Sequence, residues 1–247
     1  MDKPLIDRVA VVTGASRGIG RAAALALAEA GAHVIALART QGALEELDDE
    51  IRAKGGSTTL VPVDMKDLDA LDRLGAAIYG RWGKLDVLLG NAGVLGELSP
   101  ITHIDQPVWD DVMAVNVTAN YRLLRSMDPL LRASDAGRAI FVSSGAAHKC
   151  TAYWGVYAVS KAALEALVRT YAAETVTTPV KAMLLNPGPL RTAMRHKAMP
   201  GEDRMTLKTP EDLAPHIVAM ALPSWAETGK IYDFAKGGAL LTPQMPA

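Results

Sequence analysis

Two kinds of apolar segment alternate along the chain. Short runs of apolar, often β-branched residues without regular polar alternation predict buried strands. Longer segments with apolar residues at helical spacing predict helices. The predicted strands are Val9–Thr13, His33–Ala38, Thr58–Val63, Leu85–Leu89, Arg138–Val142, Val180–Leu185 and Lys230–Phe234. The predicted helices span residues 18–30, 41–54, 67–82, 106–131 and 155–177.

This alternation predicts an α/β fold. Strands without polar alternation, separated by helices, favour a parallel sheet covered on both faces. Right-handed crossovers then favour a doubly wound, Rossmann-type sheet. We expect a single domain over residues 1–247, with about seven strands in the order 3-2-1-4-5-6-7 and helices on both faces.

The least regular stretch covers about residues 188–208 and is rich in Pro, Met and basic residues. A long irregular segment inside a compact domain is typically a functional lid or poorly ordered. We therefore expect a mobile substrate lid here. It ends at a predicted helix start, with Thr209 as the N-cap, Pro210 at the first helical position and Asp212 as the capping partner.

The first predicted strand runs directly into a glycine-rich turn and then a helix. Glycines let the backbone approach a pyrophosphate, and the helix N-terminus offers N–H groups and the positive end of a dipole. The spacing is G-x-x-x-G-x-G rather than G-x-G-x-x-G, and a plain glycine turn is the alternative interpretation. The strand–turn–helix context favours nucleotide binding through Gly14, Ser16, Arg17, Gly18, Ile19 and Gly20.

The end of the second predicted strand bears on which nucleotide binds. An acidic residue there favours NAD because it accepts from the adenosine ribose. This chain instead has Arg39 and Thr40, and the first acid is Glu45. Together with Arg17, Arg39 suits a 2′-phosphate, which guanidinium groups grip bidentately. We expect NADP(H), with Thr40 as a further donor; solvated surface arginines, and NAD preference, are the alternative.

A tyrosine and a lysine lie four positions apart in the last long predicted helix. Tyr157 and Lys161 therefore share one helix face. A nearby ammonium lowers the pKa of a phenol, which makes the tyrosine usable as an acid or base near neutral pH. Ser144 ends a predicted strand thirteen residues before Tyr157, so its hydroxyl can point to the same cleft.

These segments occur in order with Asn91-Ala92-Gly93, Asn116 and Asn186-Pro187-Gly188. The joint pattern resembles the short-chain dehydrogenase/reductase family over nearly the whole chain. The resemblance implies an enzyme that interconverts a carbonyl and an alcohol by hydride transfer with NAD(P). Two departures, Gly90 where many relatives carry Asn, and Ala235-Lys236 before the last glycine pair, do not touch the expected chemistry.

The resemblance also implies roles for single residues. Tyr157 would exchange a proton with the substrate oxygen, and Lys161 would bind the nicotinamide ribose and tune Tyr157. Ser144, rather than its neighbour Ser143, would hydrogen-bond the substrate oxygen, and Asn116 would hold a water that relays protons past Lys161. The implied cofactor contacts are Asp64 at the adenine, Met65, Asn91, Ala92 and Gly93, and, at the nicotinamide carboxamide, Pro187, Gly188 and Thr192.

Loops near Tyr157 predict a mostly apolar substrate pocket. Its candidate lining residues are Leu95, Ala146, Cys150, Tyr153, Trp154, Met194 and Met199. We therefore expect a hydrophobic or mixed carbonyl substrate. Cys150 is interpreted as a lining or loop residue rather than a nucleophile, because only His148, expected to be a solvated loop residue, lies near it in the sequence.

Charge and cysteine content exclude several partners. The chain has 26 basic and 27 acidic side chains, a balance that argues against a mainly electrostatic nucleic-acid binder. One cysteine cannot form an internal disulfide, and the acids show no metal-ligand spacing, so we expect no metal. The longest apolar run, Ala22–Ala28, is far short of a membrane span, and no signal-peptide apolar region is present. We expect a cytoplasmic protein without a membrane partner.

The helices over 106–131 and 155–177 carry more apolar residues than one face against the sheet requires. In the resembling family these helices pair across a two-fold axis, so a homodimer or homotetramer is expected. Two rival functions remain. A non-catalytic nucleotide sensor would not need Ser144, Tyr157 and Lys161, and a nucleotide-fold methyltransferase would prefer an acid at Arg39.

Overall fold

The computed structural model describes residues 3–242, which form an eight-stranded sheet with helices on both faces. The strands are β1 (Val9–Thr13), β2 (His33–Ala38), β3 (Ser57–Pro62), β4 (Val87–Gly90), β5 (Arg138–Val142), β6 (Lys181–Asn186), β7 (Ile231–Asp233) and β8 (Ala239–Leu241). Their order is β3-β2-β1-β4-β5-β6-β7-β8. The first seven are parallel, which confirms the predicted fold and strand order.

The sequence pattern does not predict the eighth strand. β8 pairs antiparallel with β7, with Asp233 opposite Ala239. It has three residues and follows a turn at Gly237 and Gly238, both with positive φ. A segment this short carries no readable periodicity, and its pairing depends on the turn that reverses the chain.

The helices are α1 (Gly18–Glu29), α2 (Gln41–Ala53), α3 (Leu68–Trp82), α4 (Gln106–Met113), α5 (Ala119–Ala133), α6 (Ala146–Lys149), α7 (Gly155–Glu174), α8 (Ala193–Ala198) and α9 (Pro210–Ala221). The prediction of a single helix over 106–131 is corrected: two α-helices, α4 and α5, are joined by a π-helical turn, Ala114–Thr118. The π turn has five residues and continues directly into helix on both sides, so it is too short to give a periodicity of its own.

Each face of the sheet is buried by a different set of helices. Along β1, Ala10 and Val12 belong to the core that includes apolar residues of α1, α2 and α9. Val9 and Val11 belong to the core that includes residues of α3, α5 and α7. Both faces of β1 are therefore apolar, which explains why its sequence lacks polar alternation. Of the helices within residues 3–242, none has the length and apolar character needed to cross a membrane.

The predicted lid contains α8 and a short 3₁₀ turn, and its two ends meet through a bridge between Leu190 and Lys208. Arg195 donates two hydrogen bonds of 2.6 Å to the Glu202 carboxylate. The helix start after the lid is confirmed: Thr209 Oγ1 accepts from the Asp212 N–H, and the Asp212 carboxylate accepts from the Thr209 N–H. Lid mobility stays a prediction.

Candidate active site

The predicted site residues follow the carboxyl ends of neighbouring parallel strands, where open α/β sheets bind their ligands. The glycine turn is braced from the end of β4. Asn91 Nδ2 donates to the Thr13 carbonyl at 2.9 Å, and the Asn91 and Ala92 N–H groups both donate to Thr13 Oγ1 at 2.9 Å. Thr13, fully buried, is thus a site residue that the sequence indicates only as the end of the first strand.

Two glycines of the turn, Gly14 and Gly20, are required by the backbone, one for its φ angle and one for a close contact. Gly14 has φ +67°, a left-handed conformation that favours glycine. A Cβ on Gly20 would lie only 2.2 Å from the Gly14 carbonyl oxygen, so a side chain there would push α1 away from β1. The N-cap residue Arg17 does not bond to the first turn with its side chain. The first N–H groups of α1 therefore face the turn in a geometry that suits a phosphate.

The two arginines proposed for the 2′-phosphate emerge at the same edge of the sheet. The Ala15 N–H donates to the Leu37 carbonyl at 3.0 Å, and Arg17 and Arg39 each lie two residues further along their segments. Both side chains are exposed, and so is Thr40, whose hydroxyl does not cap α2. Two cations and a hydroxyl thus lie at the edge where β1 and β2 end, and their binding of a 2′-phosphate stays a prediction.

Asp64 and Met65 continue this edge after β3. The Val63 N–H donates to the Ala38 carbonyl at 2.9 Å, which places Asp64 beside the end of β2. Asp64 is half-buried and its Oδ1 accepts from the Lys66 N–H at 3.0 Å. Met65 is buried against the sheet. One carboxylate oxygen of Asp64 thus shapes the turn, and its contact with an adenine amino group stays a prediction.

Ser144, Tyr157 and Lys161 converge where β5 ends beside α7. The Ser144 hydroxyl lies close enough to the Tyr157 phenol to act on its pKa. Lys161 Nζ donates to the Val142 carbonyl at 2.8 Å and lies 5.8 Å from the centre of the Tyr157 ring. Both Tyr157 and Lys161 are buried. The structure therefore brings the predicted catalytic side chains together in one desolvated site.

Burial dominates the protonation of this site. It raises the pKa of the Tyr157 phenol, while the Ser144 hydroxyl acts in the opposite direction. This direction differs from the lowering expected from a nearby ammonium, because desolvation of the phenolate outweighs other effects. Burial also lowers the pKa of Lys161 to about 8, with the Glu165 carboxylate opposing that change.

Asn116 lies fully buried in the π-helical turn. Its Oδ1 accepts from the Val94 N–H at 2.8 Å, and its Nδ2 donates to the Val94 carbonyl and to Ser160 Oγ, both at 2.9 Å. The amide thus joins the segment after β4 to α7. A Cβ on Gly93 would lie 3.3 Å from Asn116 Oδ1 and 3.6 Å from Lys161 Nζ, so Gly93 borders both. The water-holding role of Asn116 stays a prediction.

The expected nicotinamide side is organised by Asn186. Its Oδ1 accepts from the Gly145 N–H at 3.0 Å and from the Gly188 N–H at 3.2 Å, which links the loop after Ser144 to the loop after β6, where Pro187 lies. Thr192 Oγ1 accepts from the Arg195 N–H at 3.2 Å as the N-cap of α8. Its methyl group lies 3.6 Å from the position of a Cβ on Gly18. The lid therefore begins directly beside the glycine turn.

Part of the predicted substrate pocket assembles around Tyr157. Leu95, Ala146 and Trp154 form a small apolar cluster with Tyr157, and Trp154 meets the Tyr157 ring edge-on at 6.0 Å. Leu98 and Ala198, which the sequence analysis missed, complete the cluster. The other four candidates, Cys150, Tyr153, Met194 and Met199, are exposed and lie outside it.

A cavity of about 670 Å³ continues from this cluster between the β4–α4 loop, α4 and α8. Its apolar lining includes Leu95 and Leu98, and its polar lining consists of Glu97, Asp111 and Lys197. The walls are thus mixed in character. Across residues 3–242, no group of three or more His, Cys, Asp or Glu side chains is arranged to hold a metal ion.

Comparison with known proteins agrees with this geometry. The family model described as short chain dehydrogenase matches residues 8–203. The chain is 38% identical over 237 residues to the uncharacterized oxidoreductase YciK of Escherichia coli K12, covering 94% of each protein. It is 32% identical to the sepiapterin reductase of Chlorobaculum tepidum, covering 86% of this chain and 89% of that protein.

Solved structures are similar over almost the whole chain. A short chain dehydrogenase from Salmonella enterica serovar Typhi has a TM-score of 0.91 at 37% identity, covering 94% of this chain and 98% of the other. A short chain dehydrogenase from Escherichia coli CFT073, solved with NADPH, has a TM-score of 0.87 at 38% identity with the same coverage.

Proposed function

We infer the function from one premise: the chain belongs to the short chain dehydrogenase family and is an oxidoreductase of that family. We propose that it interconverts a carbonyl compound and an alcohol with NADP(H), and that Tyr157 is the acid/base. The convergence of Ser144, Tyr157 and Lys161 beside the glycine turn carries this proposal.

The proposed chemistry divides between cofactor and chain. The nicotinamide cofactor, when bound, supplies or takes the hydride. In the reductive direction, Ser144 donates a hydrogen bond to the substrate oxygen and Tyr157 gives that oxygen its proton. Lys161, with a pKa lowered to about 8, lies near the phenol and stabilises the phenolate that the transfer leaves. Leu95, Ala146 and Trp154 exclude water and hold an apolar part of the substrate.

The acid/base role is tested with Tyr157→Phe. We expect kcat to fall by about 10²–10⁴-fold, because the variant retains the ring but has no proton to give. The assay follows NADPH absorbance with 4-nitrobenzaldehyde and 2,3-hexanedione as probes. Tyr79→Phe, at an exposed position on α3, is the matched control. Full activity of Tyr157→Phe would contradict the mechanism, and NADPH binding without turnover of any carbonyl probe would favour the sensor.

The NADP(H) preference rests on Arg17 and Arg39, and a structural relative was solved with NADPH. A fluorescence titration of NADPH and NADH tests it. Replacing both arginines by Met should weaken NADPH binding by about tenfold or more per lost charge-assisted contact and leave NADH binding nearly unchanged. Arg73→Met, on exposed α3 surface, is the control. Equal affinity of the unmodified protein for both cofactors would contradict the preference.

A homodimer or homotetramer built on α4, α5 and α7 is the proposed assembly. Tyr121 on α5 and Val159 on α7 are among the exposed large apolar side chains of the described residues. The proposed substrate lid, residues 188–208, adjoins both the glycine turn through Thr192 and the cavity through Lys197. Its closure over bound cofactor would exclude water from Tyr157.

A further inference from the structure

A buried carboxylate that the proposed chemistry does not use lies one turn beyond Lys161 on α7. Glu165 is 4% exposed. Its Oε1 accepts a hydrogen bond of 2.5 Å from Ser143 Oγ, and its Oε2 lies 2.8 Å from His148 Nε2. One carboxylate therefore joins the residue before Ser144 to a residue four positions after it. The His148 side chain is 55% exposed, in line with the expected solvated residue, but it lies on α6 and its Nε2 also contacts the buried Glu165.

Glu165 completes a set of side-chain contacts between the end of β5 and α7. Successive residues of the β5 end meet residues spaced one helical turn apart: Val142 meets Lys161, Ser143 meets Glu165, and Ser144 meets Tyr157. Since positions four apart share a helix face, these contacts lie along one line of α7. Each of residues 142–144 at the end of β5 thus contacts α7, and Ser144 is the last of them.

The contact with His148 fixes the other side of Ser144. α6 begins two residues after Ser144, and the Ala146 N–H donates to Ser144 Oγ at 3.2 Å. α6 has only four residues, too few to be stable without tertiary contacts. His148 provides such a contact by binding α6 to α7 through Glu165. The Glu165 carboxylate therefore restrains the chain on both sides of Ser144, through Ser143 before it and His148 after it.

The charge of Glu165 is sustained by its neighbours. Those facing it are Ser143 at the end of β5, His148 on α6, and Lys161 and Arg169 on its own helix. Burial raises the pKa of the Glu165 carboxyl, while Ser143, His148 and Arg169 act in the opposite direction. A buried carboxylate that lost these partners would be costly. These partners therefore offset part of the cost of burying the Glu165 charge.

We propose that Glu165 is a positioning residue, which binds Ser143 and His148 together and so holds the Ser144 hydroxyl towards Tyr157 and the substrate oxygen. The proposal rests on the proposed function for the identity of the reacting groups. Glu165 itself does not touch substrate or cofactor, and acts through the loop that carries Ser144.

The test compares two replacements of Glu165. Glu165→Met removes both contacts at similar volume, whereas Glu165→Gln keeps an acceptor for Ser143 and a donor for His148 Nε2. With 4-nitrobenzaldehyde we expect Glu165→Met to lower kcat by about tenfold or more, with the NADPH dissociation constant within about twofold. Glu165→Gln should restore kcat to within about threefold of the unmodified protein near neutral pH. Glu174→Gln, at an exposed site of α7, is the matched control.

The pH profile separates positioning from plain stability. As the pH falls through the raised pKa of Glu165, its carboxylate takes up a proton and loses its attraction to His148. We expect an acid limb in kcat of the unmodified protein, above the ordinary carboxyl range, that levels off no more than about threefold below the neutral value, at the kcat of Glu165→Gln, the neutral analogue of the protonated carboxyl. Glu165→Gln should show no such limb. A purely structural role would lower the melting temperature of both variants and leave the shape of the profile unchanged, which would overturn the proposal.

Amide hydrogen exchange gives a readout that needs no turnover. The Gly145 N–H is hydrogen-bonded to Asn186 and the Ala146 N–H to Ser144, and hydrogen bonds protect amides from exchange. Loosening this loop would break these bonds and speed exchange of both amides. Glu165→Met should speed exchange in the peptide over 143–149, and Glu174→Gln should not. If the unmodified protein reduces no carbonyl probe, the proposed function fails. The hydrogen exchange rate over 143–149 then tests the positioning of this loop by itself. Unchanged exchange over 143–149 in Glu165→Met would overturn the positioning role.

Discussion

At the scale of single residues, the burial of Lys161 links the site to stability. An unfolded lysine has a pKa near 10.4, and burial lowers that of Lys161 to about 8. Between these values the unfolded chain binds more protons than the folded chain, so stability increases with pH. Below about pH 8 both states are protonated, and the full cost of burying the charge is present.

We therefore expect the free energy of unfolding of the unmodified protein, relative to Lys161→Met, to rise by up to about 3 kcal/mol between about pH 8 and 10.5. Urea unfolding at several pH values measures this difference. Lys149→Met, at an exposed position, should leave the pH dependence unchanged. Parallel stability curves for the unmodified protein and Lys161→Met would contradict the prediction.

Gly90 matters because of a neighbour far away in the sequence. A Cβ on Gly90 would lie 2.3 Å from the Phe141 ring, so the aromatic side chain occupies the space that a larger residue needs. We expect Gly90→Ala to destabilise the protein by about 1–3 kcal/mol through overpacking.

Gly80 is the matched control for this substitution. It lies in α3 with nothing within 4 Å of its Cβ position, so Gly80→Ala should stabilise by about 0.5–1 kcal/mol. Thermal unfolding measures both effects. Equal melting temperatures for the two variants would show that β4 relaxes around the new methyl group.

At the scale of elements, α9 has a complete capping box. Thr209 and Asp212 each accept from the backbone N–H of the other, which satisfies two N–H groups at the helix start. Thr209→Ala should lower the free energy of unfolding by about 1 kcal/mol in urea. Thr177→Ala, in the exposed turn after α7, should have a much smaller effect. An unchanged free energy of unfolding in Thr209→Ala would mean that packing alone determines where α9 begins.

The lid offers a second test at this scale. Arg195 on α8 grips Glu202 with two hydrogen bonds, and this pair holds the Glu202 carboxyl pKa below its usual range. Glu202→Gln should speed hydrogen exchange over 193–202. It should also weaken NADPH binding about two- to fivefold, because Thr192 would lose its fixed position beside Gly18. Glu211→Gln on α9 is the control, and unchanged exchange would show that other contacts hold the lid.

At the scale of the whole molecule, the proposed assembly depends on the outer faces of α5 and α7. Light scattering after size-exclusion chromatography should give two or four times the chain mass of 26.1 kDa. Val159→Arg, on the exposed face of α7, should shift the protein towards monomer, since a buried unpaired charge opposes association. A monomeric unmodified protein at micromolar concentration would contradict the assembly.

Most of the fold was predictable from the sequence, because its longer strands and helices are set by periodicity. Seven strands, their order and the α9 start follow from local pattern, and the structure confirms them. Four short elements were not predicted: the π turn at Asn116, the antiparallel β8, α6 and α8. Each is brief and is stabilised by contacts with distant parts of the chain.

The sequence alone determined which residues are candidates for the proposed chemistry. The glycine turn, Arg17 with Arg39, and Tyr157 with Lys161 are recognisable because their spacing is local and their elements are strongly periodic. Only the tertiary structure decided what those residues meet. Glu165 binds Ser143 and His148, Phe141 fills the space beside Gly90, and Thr192 lies beside Gly18. These contacts join segments far apart in the chain, and the packing of helices on the sheet, rather than any local pattern, brings them together.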